Sequence, residues 1–206
     1  MSSAIRNKDA SVYLDYPPLS VHLRPVLEIS DEQVLELSTN NRDLRIERTS
    51  EGELIIMPPT AGETGDQNAE ITMQLRLWAK KDGTGITYDS STGFRLQNGA
   101  IRSPDAAWIS KSRLASLTAK PKKVFINLSP DVVIELRSST DHLNKLREKM
   151  EEYIKNGTRL GVLLNPEQRE AFVYQENVAV KKLSNPKTVS FAPVLSGFVL
   201  DLREVW

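Results

Sequence analysis

The 206-residue sequence contains no cysteine and only two histidines, His22 and His142. The missing thiols exclude disulfides, zinc–thiolate centres and thiol catalysis, and they fit a reducing compartment. Two histidines are too few for a histidine-rich metal site. No apolar run approaches the ~20 residues of a membrane span, and the N-terminal residues lack the apolar core of a signal peptide. We therefore predict a cytoplasmic protein without a membrane-spanning segment.

An excess of either charge is also missing. The 27 Lys and Arg residues balance the 27 Asp and Glu residues, so the overall charge does not indicate nucleic-acid binding. The motifs G-x-x-x-x-G-K-[ST] and G-x-G-x-x-G, which cradle nucleotide phosphates, do not occur. The length and the 39% hydrophobic content predict one domain over residues 1–206. Prolines after Tyr16 and Arg24 predict an extended N-terminal arm over residues 1–29.

The hydrophobic periodicity predicts an alternation of strands and helices. The predicted helices span about residues 30–38, 66–81 and 141–156, the last capped by Asp141, with a helical turn near 111–117. The predicted strands span about residues 44–49, 53–57, 86–88, 93–96, 106–109, 131–137, 159–164, 171–174, 178–183 and 189–191. We expect the first two strands to form a hairpin, the next three a meander, and the last three a second meander.

The segment from Pro104 to Leu164 reads strand, strand, helix, strand. The helical connection is long enough to make the strands on either side of it parallel, which predicts a mixed sheet. In the central strand, Val133, Glu135 and Arg137 share one face because side chains alternate along a strand. An unpaired charge on an apolar strand costs several kcal/mol. Glu135 therefore needs a cation, which can be a side chain or a metal ion.

Two further residues can meet Glu135. Asp105 lies at the start of the neighbouring strand, so the two carboxylates can converge if those strands are adjacent. Lys149 lies on the shoulder of the apolar face of the helix over 141–156 and can direct its ammonium group to the strand ends. Two carboxylates with room for water suit Mg²⁺ or Mn²⁺ rather than zinc. An acid pair, a cation and such an ion are the equipment for phosphodiester hydrolysis.

Each of these residues also has a purely structural interpretation. Pro-Asp is a common turn dipeptide, which accounts for Asp105 without a metal. Glu135 paired with Arg137 or Lys149 can be a structural ion pair, and Lys149 can be a surface lysine. The run Lys120-Pro121-Lys122-Lys123 can contact phosphate or form a solvated loop.

Six short pieces of the sequence occur in a distinctive order. They are GELIIMPP (52–59), GETG (62–65), SPDAAW (103–108), VIELRS (133–138), EKMEEY (148–153) and LNP (164–166). Over about residues 29–200, this order and spacing resemble the Uma-two family of the PD-(D/E)XK restriction-endonuclease-like superfamily. The resemblance implies an α/β (α+β) fold: a restriction-endonuclease-like mixed central β-sheet flanked by helices, with an extended N-terminal arm and extra antiparallel strands.

The resemblance also implies an activity, that of a Mg²⁺- or Mn²⁺-dependent endonuclease that acts on DNA as a homodimer. Asp105 and Glu135 look like its metal-binding acids, and Lys149 looks like its active-site lysine. Glu63 or Glu70 looks like an accessory acid at the metal, with Glu53 a weaker candidate.

Two positions depart from the family pattern. Arg137 occupies the lysine position of the E-x-K motif, where it can hold a phosphate but cannot act as a base. Asn165 stands where the family often has Asp, which we expect to affect the strand end rather than the metal. These departures leave two alternatives open. One is a catalytically inactive module that binds nucleic acid or protein, and the other is a structural network of acids and bases without metal.

Overall fold

The computed structural model of the protein describes residues 17–117 and 125–206. Residues 1–16 of the predicted N-terminal arm lie outside these ranges, and so does the run Lys120-Pro121-Lys122-Lys123. The helices are α1 (Asp31–Asn40), α2 (Gly62–Asp82), α3 (Lys111–Ala115) and α4 (Leu143–Lys155), with a short 3-10 helix over Pro166–Gln168. The strands are β1 (Leu19–Val21), β2 (Arg45–Arg48), β3 (Leu54–Met57), β4 (Gly85–Asp89), β5 (Phe94–Arg95), β6 (Ile101–Arg102), β7 (Ala106–Ser110), β8 (Val132–Leu136), β9 (Leu160–Asn165), β10 (Glu170–Gln175), β11 (Val178–Ser184), β12 (Thr188–Ser190) and β13 (Val199–Asp201).

A six-stranded mixed sheet has the order β11-β10-β9-β8-β7-β4. Strands β8 and β9 pair in parallel, whereas β7 pairs with β8 antiparallel. Helix α4 forms the connection between β8 and β9. Parallel strands require such a long crossover, because a tight turn can join only antiparallel strands. The predicted mixed sheet and the α/β (α+β) fold class are therefore confirmed.

A second sheet of five strands has the order β1-β3-β2-β6-β5. Strands β2 and β3 form the predicted hairpin, and Gly52 in its turn has a φ of 87°, which favours glycine. Part of the predicted arm joins this sheet, because β1 pairs with β3.

The prediction of a meander over residues 86–109 was wrong. Strand β4 pairs directly with β7, and the two strands between them, β5 and β6, belong to the five-stranded sheet. The physical reason is burial, since Ile101 of β6 packs with Ile46 and Leu54 of that sheet. Order along the chain does not fix which sheet a short strand joins.

The second predicted meander is correct only for its first two strands. Strands β10 and β11 pair antiparallel, but β12 pairs with β13 in a separate two-stranded sheet. This small sheet buries Val189 and Leu200 in the same apolar cluster as Phe191 and Phe198. Apolar contacts near the C-terminus therefore replace the predicted pairing of the third strand with the second.

Helices cover the two faces of the six-stranded sheet. The buried residues Ile71 and Leu75 of α2 pack in one cluster with Val132 and Ile134 of β8. On the opposite face, Met150 and Tyr153 of α4 pack in another cluster with Val133. Alternation along β8 therefore directs Glu135 to the α4 side.

The terminal methyl of Met150 on α4 packs over Gly161 of β9. A Cβ atom on Gly161 would lie 2.5 Å from Cε of Met150, closer than real Cβ contacts. A side chain at position 161 would therefore require the flexible end of Met150 to move. Gly161 thus leaves space in the sheet for the side chain of Met150.

The predicted cap of α4 was wrong. The N-cap residue is His142, without a side-chain cap hydrogen bond, and the helix begins at Leu143. Asp141 instead accepts hydrogen bonds from the backbone N–H and the hydroxyl of Ser138, at 2.9 and 2.7 Å. The carboxylate is satisfied by the preceding turn and is not free to cap the helix.

Candidate active site

Asp105 and Glu135 lie on neighbouring strands of the six-stranded sheet. Ala106 is paired with Ile134, and one further step in this antiparallel register sets Asp105 opposite Glu135. Oδ2 of Asp105 accepts a hydrogen bond of 2.9 Å from the backbone N–H of Leu136. The two acids thus meet at the end of β8, as the expected adjacency of their strands requires.

Helix α4 brings Lys149 to the same place. Nζ of Lys149 lies 2.8 Å from Oε1 of Glu135. One turn further along α4, the hydroxyl of Tyr153 donates to the same carboxylate oxygen at 3.0 Å. Residues four apart share a face of a helix, so α4 presents two donors to one acid.

Glu47 is a further acid at this site, and the sequence interpretation missed it. It lies on β2 of the five-stranded sheet, and its Oε1 is 2.9 Å from Nζ of Lys149. The backbone N–H of Ser103 donates to the same oxygen at 2.9 Å, and Nη1 of Arg102 donates to Oε2 at 3.2 Å. Lys149 therefore bridges an acid from each of the two large sheets.

Arg45 is the second missed residue, and it belongs to the same strand as Glu47. Its Nη1 donates to Oδ1 of Asp105 at 2.9 Å. Because side chains two apart on a strand share a face, Arg45 and Glu47 both reach the site from β2. Three acids, Asp105, Glu135 and Glu47, thus face three cations, Arg45, Lys149 and Arg102.

The two glutamates differ in pKa although both side chains are 2% exposed. Burial opposes ionisation of Glu47, but Lys149, Arg102 and Arg45 outweigh it and lower the pKa to about 2. Burial raises the pKa of Glu135 to about 7 against the pull of Lys149, with Asp105 and Glu47 adding repulsion. Burial lowers the pKa of Lys149, but Glu135 and Glu47 reverse this and raise it. The surroundings of Lys149 and Glu47 therefore favour their charged forms, whereas those of Glu135 favour its neutral form.

A pocket of about 130 Å³ opens at these residues. Asp105, Glu135, Lys149 and Arg45 line it, and so does Asn68 of α2. The amide oxygen of Asn68 is buried and has no hydrogen-bond partner among the residues that the structure describes. Within residues 17–117 and 125–206, no group of three or more His, Asp or Glu side chains is arranged to hold a metal ion.

Arg137 lies at the end of β8 but its hydrogen bonds are elsewhere. Its guanidinium donates to Oδ1 of Asn165 at 3.0 Å, to the carbonyl of Asp141 at 3.1 Å and to the carboxylate of Glu167. The two side chains that depart from the family pattern thus bond to each other. Asn165 lies at the strand end, and among the described residues the hydrogen bonds of Arg137 go to Asn165, Asp141 and Glu167 rather than to Glu135.

The three candidate accessory acids have different surroundings. Glu63 lies in the exposed first turn of α2, whereas the half-buried Glu70 accepts a hydrogen bond of 2.8 Å from Gln74. Glu53 lies 3.4 Å from Nε2 of His22. Asn68, which lies between Glu63 and Glu70 along α2, is among the residues that line the pocket.

A signal for Glu47 was present in the sequence. Glu47 lies between Ile46 and Arg48 in a predicted strand, and an acid there needs a cation for the same reason as Glu135. Its partner was not readable, because Glu47 and Lys149 are 102 positions apart in the chain. Asn68 gave no comparable signal, since a single asparagine on an amphipathic helix is ordinary.

The fold is that of a nuclease-like α/β domain. A crystal structure from Anabaena variabilis ATCC 29413, described as "a putative nuclease belonging to DUF820", matches the chain with a TM-score of 0.70 and 18% sequence identity. The match covers 86% of this chain and 97% of the other. At this identity the likeness establishes the shared fold alone.

The sequence model of the Uma2 family, described as "Putative restriction endonuclease", matches residues 31–203. This is most of the chain, and the protein belongs to the Uma2 family. The resemblance to this family is thus confirmed. No curated protein matches the sequence. None of the helices in the described residues is long and apolar enough to cross a membrane.

Proposed function

We propose that the protein is a Mg²⁺-dependent endonuclease that hydrolyses phosphodiester bonds of DNA. The observation that carries this proposal is the convergence of Asp105, Glu135 and Lys149 on one pocket, with Lys149 2.8 Å from Glu135. Membership of a family described as restriction endonucleases supports a nucleic-acid substrate. Asp105 and Glu135 would be the metal ligands, and Lys149 the assisting cation.

The donor atoms around the pocket fit Mg²⁺ or Mn²⁺. Asp105 and Glu135 supply carboxylate oxygens, and the unpartnered amide oxygen of Asn68 is a third hard donor that lines the same pocket. Mg²⁺ keeps several waters and needs only one or two protein carboxylates. A volume of about 130 Å³ leaves room for a few waters at ~30 Å³ each. Zinc fits less well, because no histidine or cysteine lines the pocket.

Lys149 and Arg45 would have different roles in hydrolysis. When bound, the ion supplies positive charge at the scissile phosphate and makes the attacking water more acidic. Lys149 stabilises the negative charge that develops on the phosphate, because its ammonium group is nearly buried and remains protonated. Arg45 orients Asp105 through their hydrogen bond and lies at the pocket, where it can also contact a phosphate oxygen. Arg137 is a weaker candidate for phosphate contact because its donors are used at the strand end.

We also propose a cytoplasmic homodimer. One pocket of this kind cuts one strand, so cutting both strands of a duplex at one encounter needs two chains. The absence of cysteine fits a reducing compartment. Light scattering coupled to size-exclusion chromatography tests the dimer, and a monomeric mass at micromolar concentration contradicts it.

Cleavage of DNA in the presence of Mg²⁺ or Mn²⁺ tests the activity. The wild type is incubated with supercoiled, linear and single-stranded DNA, beside Asp105→Asn, Glu135→Gln and Lys149→Gln. We expect metal-dependent cleavage that each of the three substitutions reduces by at least about 100-fold. Lys145→Gln on the exposed side of α4 is the matched control and keeps full activity. Cleavage that survives Glu135→Gln contradicts the assignment.

One observation favours an inactive module with the same fold. Each of the three buried acids already has a cation, with Arg45 on Asp105 and Lys149 shared by Glu135 and Glu47. Such a balanced network can be structural, and the chain has no net charge to attract a polyanion. A wild type that binds DNA without cutting it, and whose binding survives Glu135→Gln, supports this second function.

A further inference from the structure

We propose that Glu47 is a positioning residue for Lys149, and that the five-stranded sheet thereby forms part of the catalytic apparatus. This inference rests on the proposed nuclease function and deepens it. It concerns a residue outside the six-stranded sheet that carries Asp105 and Glu135. Glu47 lies on strand β2, and its carboxylate contacts the same ammonium group of Lys149 that contacts Glu135.

The contacts of Glu47 fix its carboxylate on three sides. Oε1 receives the backbone N–H of Ser103 at 2.9 Å and Nζ of Lys149 at 2.9 Å, while Oε2 receives Nη1 of Arg102 at 3.2 Å. The side chain is 2% exposed, so water does not compete for these hydrogen bonds. An acid held in this way has one orientation, and it gives Lys149 a fixed anchor.

Arg102 extends the anchor to a second point on α4. Its Nε donates to Oε2 of Glu152 at 2.6 Å, and Glu152 lies three residues after Lys149 on the same helix. The amide of Asn98 donates to the other oxygen of Glu152 at 2.9 Å. Strands β2 and β6 therefore hold α4 through both Lys149 and Glu152, and the helix cannot slide without breaking buried charge pairs.

Lys149 needs such an anchor if Glu135 binds a metal ion. In the described structure Lys149 divides its ammonium hydrogens between Glu135 and Glu47. A cation on Glu135 weakens the pull of that acid on the lysine, since like charges repel. Glu47 then remains as the fixed acceptor, and it keeps Nζ beside the pocket while the lysine's other hydrogens are free for a phosphate oxygen. Glu47 itself touches neither metal nor DNA in this scheme.

The test measures steady-state cleavage of a fluorescent duplex by the whole protein with Mn²⁺. We expect Glu47→Gln to lower kcat about 10- to 100-fold, the range for supporting residues behind a functional group, with KM for DNA unchanged. Glu47→Asp keeps the charge and recovers part of kcat. In a Lys149→Gln background, Glu47→Gln causes little further loss, because the group that it positions is gone. Circular dichroism and thermal melting verify that each variant is folded.

The matched control is Glu51→Gln, an exposed acid at the β2–β3 turn, which leaves kcat unchanged. Wild-type kcat in folded Glu47→Gln overturns the inference and leaves the proposed function intact. So does a fall in kcat that is equally large with and without Lys149.

A metal-free measurement separates failure of the inference from failure of the proposed function. Urea midpoints are compared for the wild type, Glu47→Gln, Lys149→Gln and the double variant in EDTA. Shifts that are not additive show that Glu47 and Lys149 are coupled, and additive shifts overturn the anchor whether or not the protein cuts DNA. If the wild type does not cut DNA with any metal, the proposed function fails and with it the catalytic meaning of the anchor.

Discussion

Glu47 and Glu135 contact the same lysine from two different sheets, yet their environments have opposite effects on their charge. Both are 2% exposed, and each lies within 3 Å of Nζ of Lys149. Glu47 has a pKa lowered to about 2, and Glu135 has a pKa raised to about 7. Burial is the same for both, so it cannot account for the difference.

The difference comes from the other neighbours. Beside Lys149, Glu47 has Arg102 and Arg45 nearby and a backbone N–H from Ser103. Glu135 has Asp105 and Glu47, two like charges that oppose its ionisation. Glu47 is thus well neutralised, whereas Glu135 shares its contacting cation, Lys149, with Glu47 and faces two like charges. These surroundings favour the uptake of a proton or of a further cation at Glu135 more than at Glu47.

The largest expected difference between the two acids is in stability. At pH 8 in EDTA, we expect Glu47→Gln to lower the free energy of unfolding by roughly 3 kcal/mol, because it removes a buried carboxylate that Arg102 and Lys149 both contact and leaves each of them with one carboxylate partner. Glu135→Gln should not lower it, because at pH 8 the neutral amide relieves the repulsion from Asp105 and Glu47 and can still accept from Tyr153 and Lys149. Urea denaturation measures both values. Equal losses would contradict the distinction between the two acids.

The pH dependence of stability should have two opposite limbs. The raised pKa of Glu135 contributes stability that is complete below pH 4.5 and is lost as the pH rises to about 7, roughly 3 kcal/mol in total. The lowered pKa of Glu47 contributes stability that is present above pH 4.5 and is lost as the pH falls towards 2. Urea midpoints across pH 3–8 check both limbs. Glu135→Gln should remove the upper limb. Glu47→Gln should remove the lower limb and shift the upper one to lower pH, because the repulsion that Glu47 exerts on Glu135 is lost.

Metal binding should depend on one acid and not on the other. We expect Mn²⁺ to raise the melting temperature of the wild type. At a hundredfold excess of Mn²⁺ over Kd, binding adds about 2.7 kcal/mol to the free energy of unfolding. EDTA should reverse the effect, and Glu135→Gln should abolish it. Glu47→Gln is the internal control and should retain the rise, since Glu47 is not a proposed ligand. The reverse pattern would exchange the roles of the two glutamates.

The smallest effect is expected at Arg137. Side-chain alternation along the strand predicts that it shares a face with Glu135. Arg137→Lys restores the E-x-K motif, but the side chain is bonded to Asn165 and to Glu167, whose own side chain is 69% exposed. Pairs this exposed contribute about 0–1 kcal/mol. We expect the cleavage rate of Arg137→Lys to stay within about twofold of the wild type and its free energy of unfolding within about 1 kcal/mol. The DNA cleavage assay and urea denaturation measure these two quantities. A large gain in activity would show that position 137 reaches the phosphate.

Much of the fold was predictable because its signals are local. The central strand, the helix that carries Lys149 and the parallel pairing across it follow from side-chain alternation and from the length of the connection. The pairing of β4 with β7 and of β12 with β13 was not predictable, because short strands choose partners by burial across long stretches of chain. The prediction of one domain over residues 1–206 stays a prediction.

By itself, the sequence determined that Glu135 lies on an apolar strand and needs a cation, and that Lys149 lies on the helix shoulder beside it. Both statements depend on periodicity within a few residues. Only the tertiary structure decided that Lys149 is shared with Glu47, because that contact joins positions 102 apart and crosses from one sheet to another. It also decided which glutamate is neutralised, because a pKa in a buried site is set by all the charges within a few ångströms, whatever their distance along the chain.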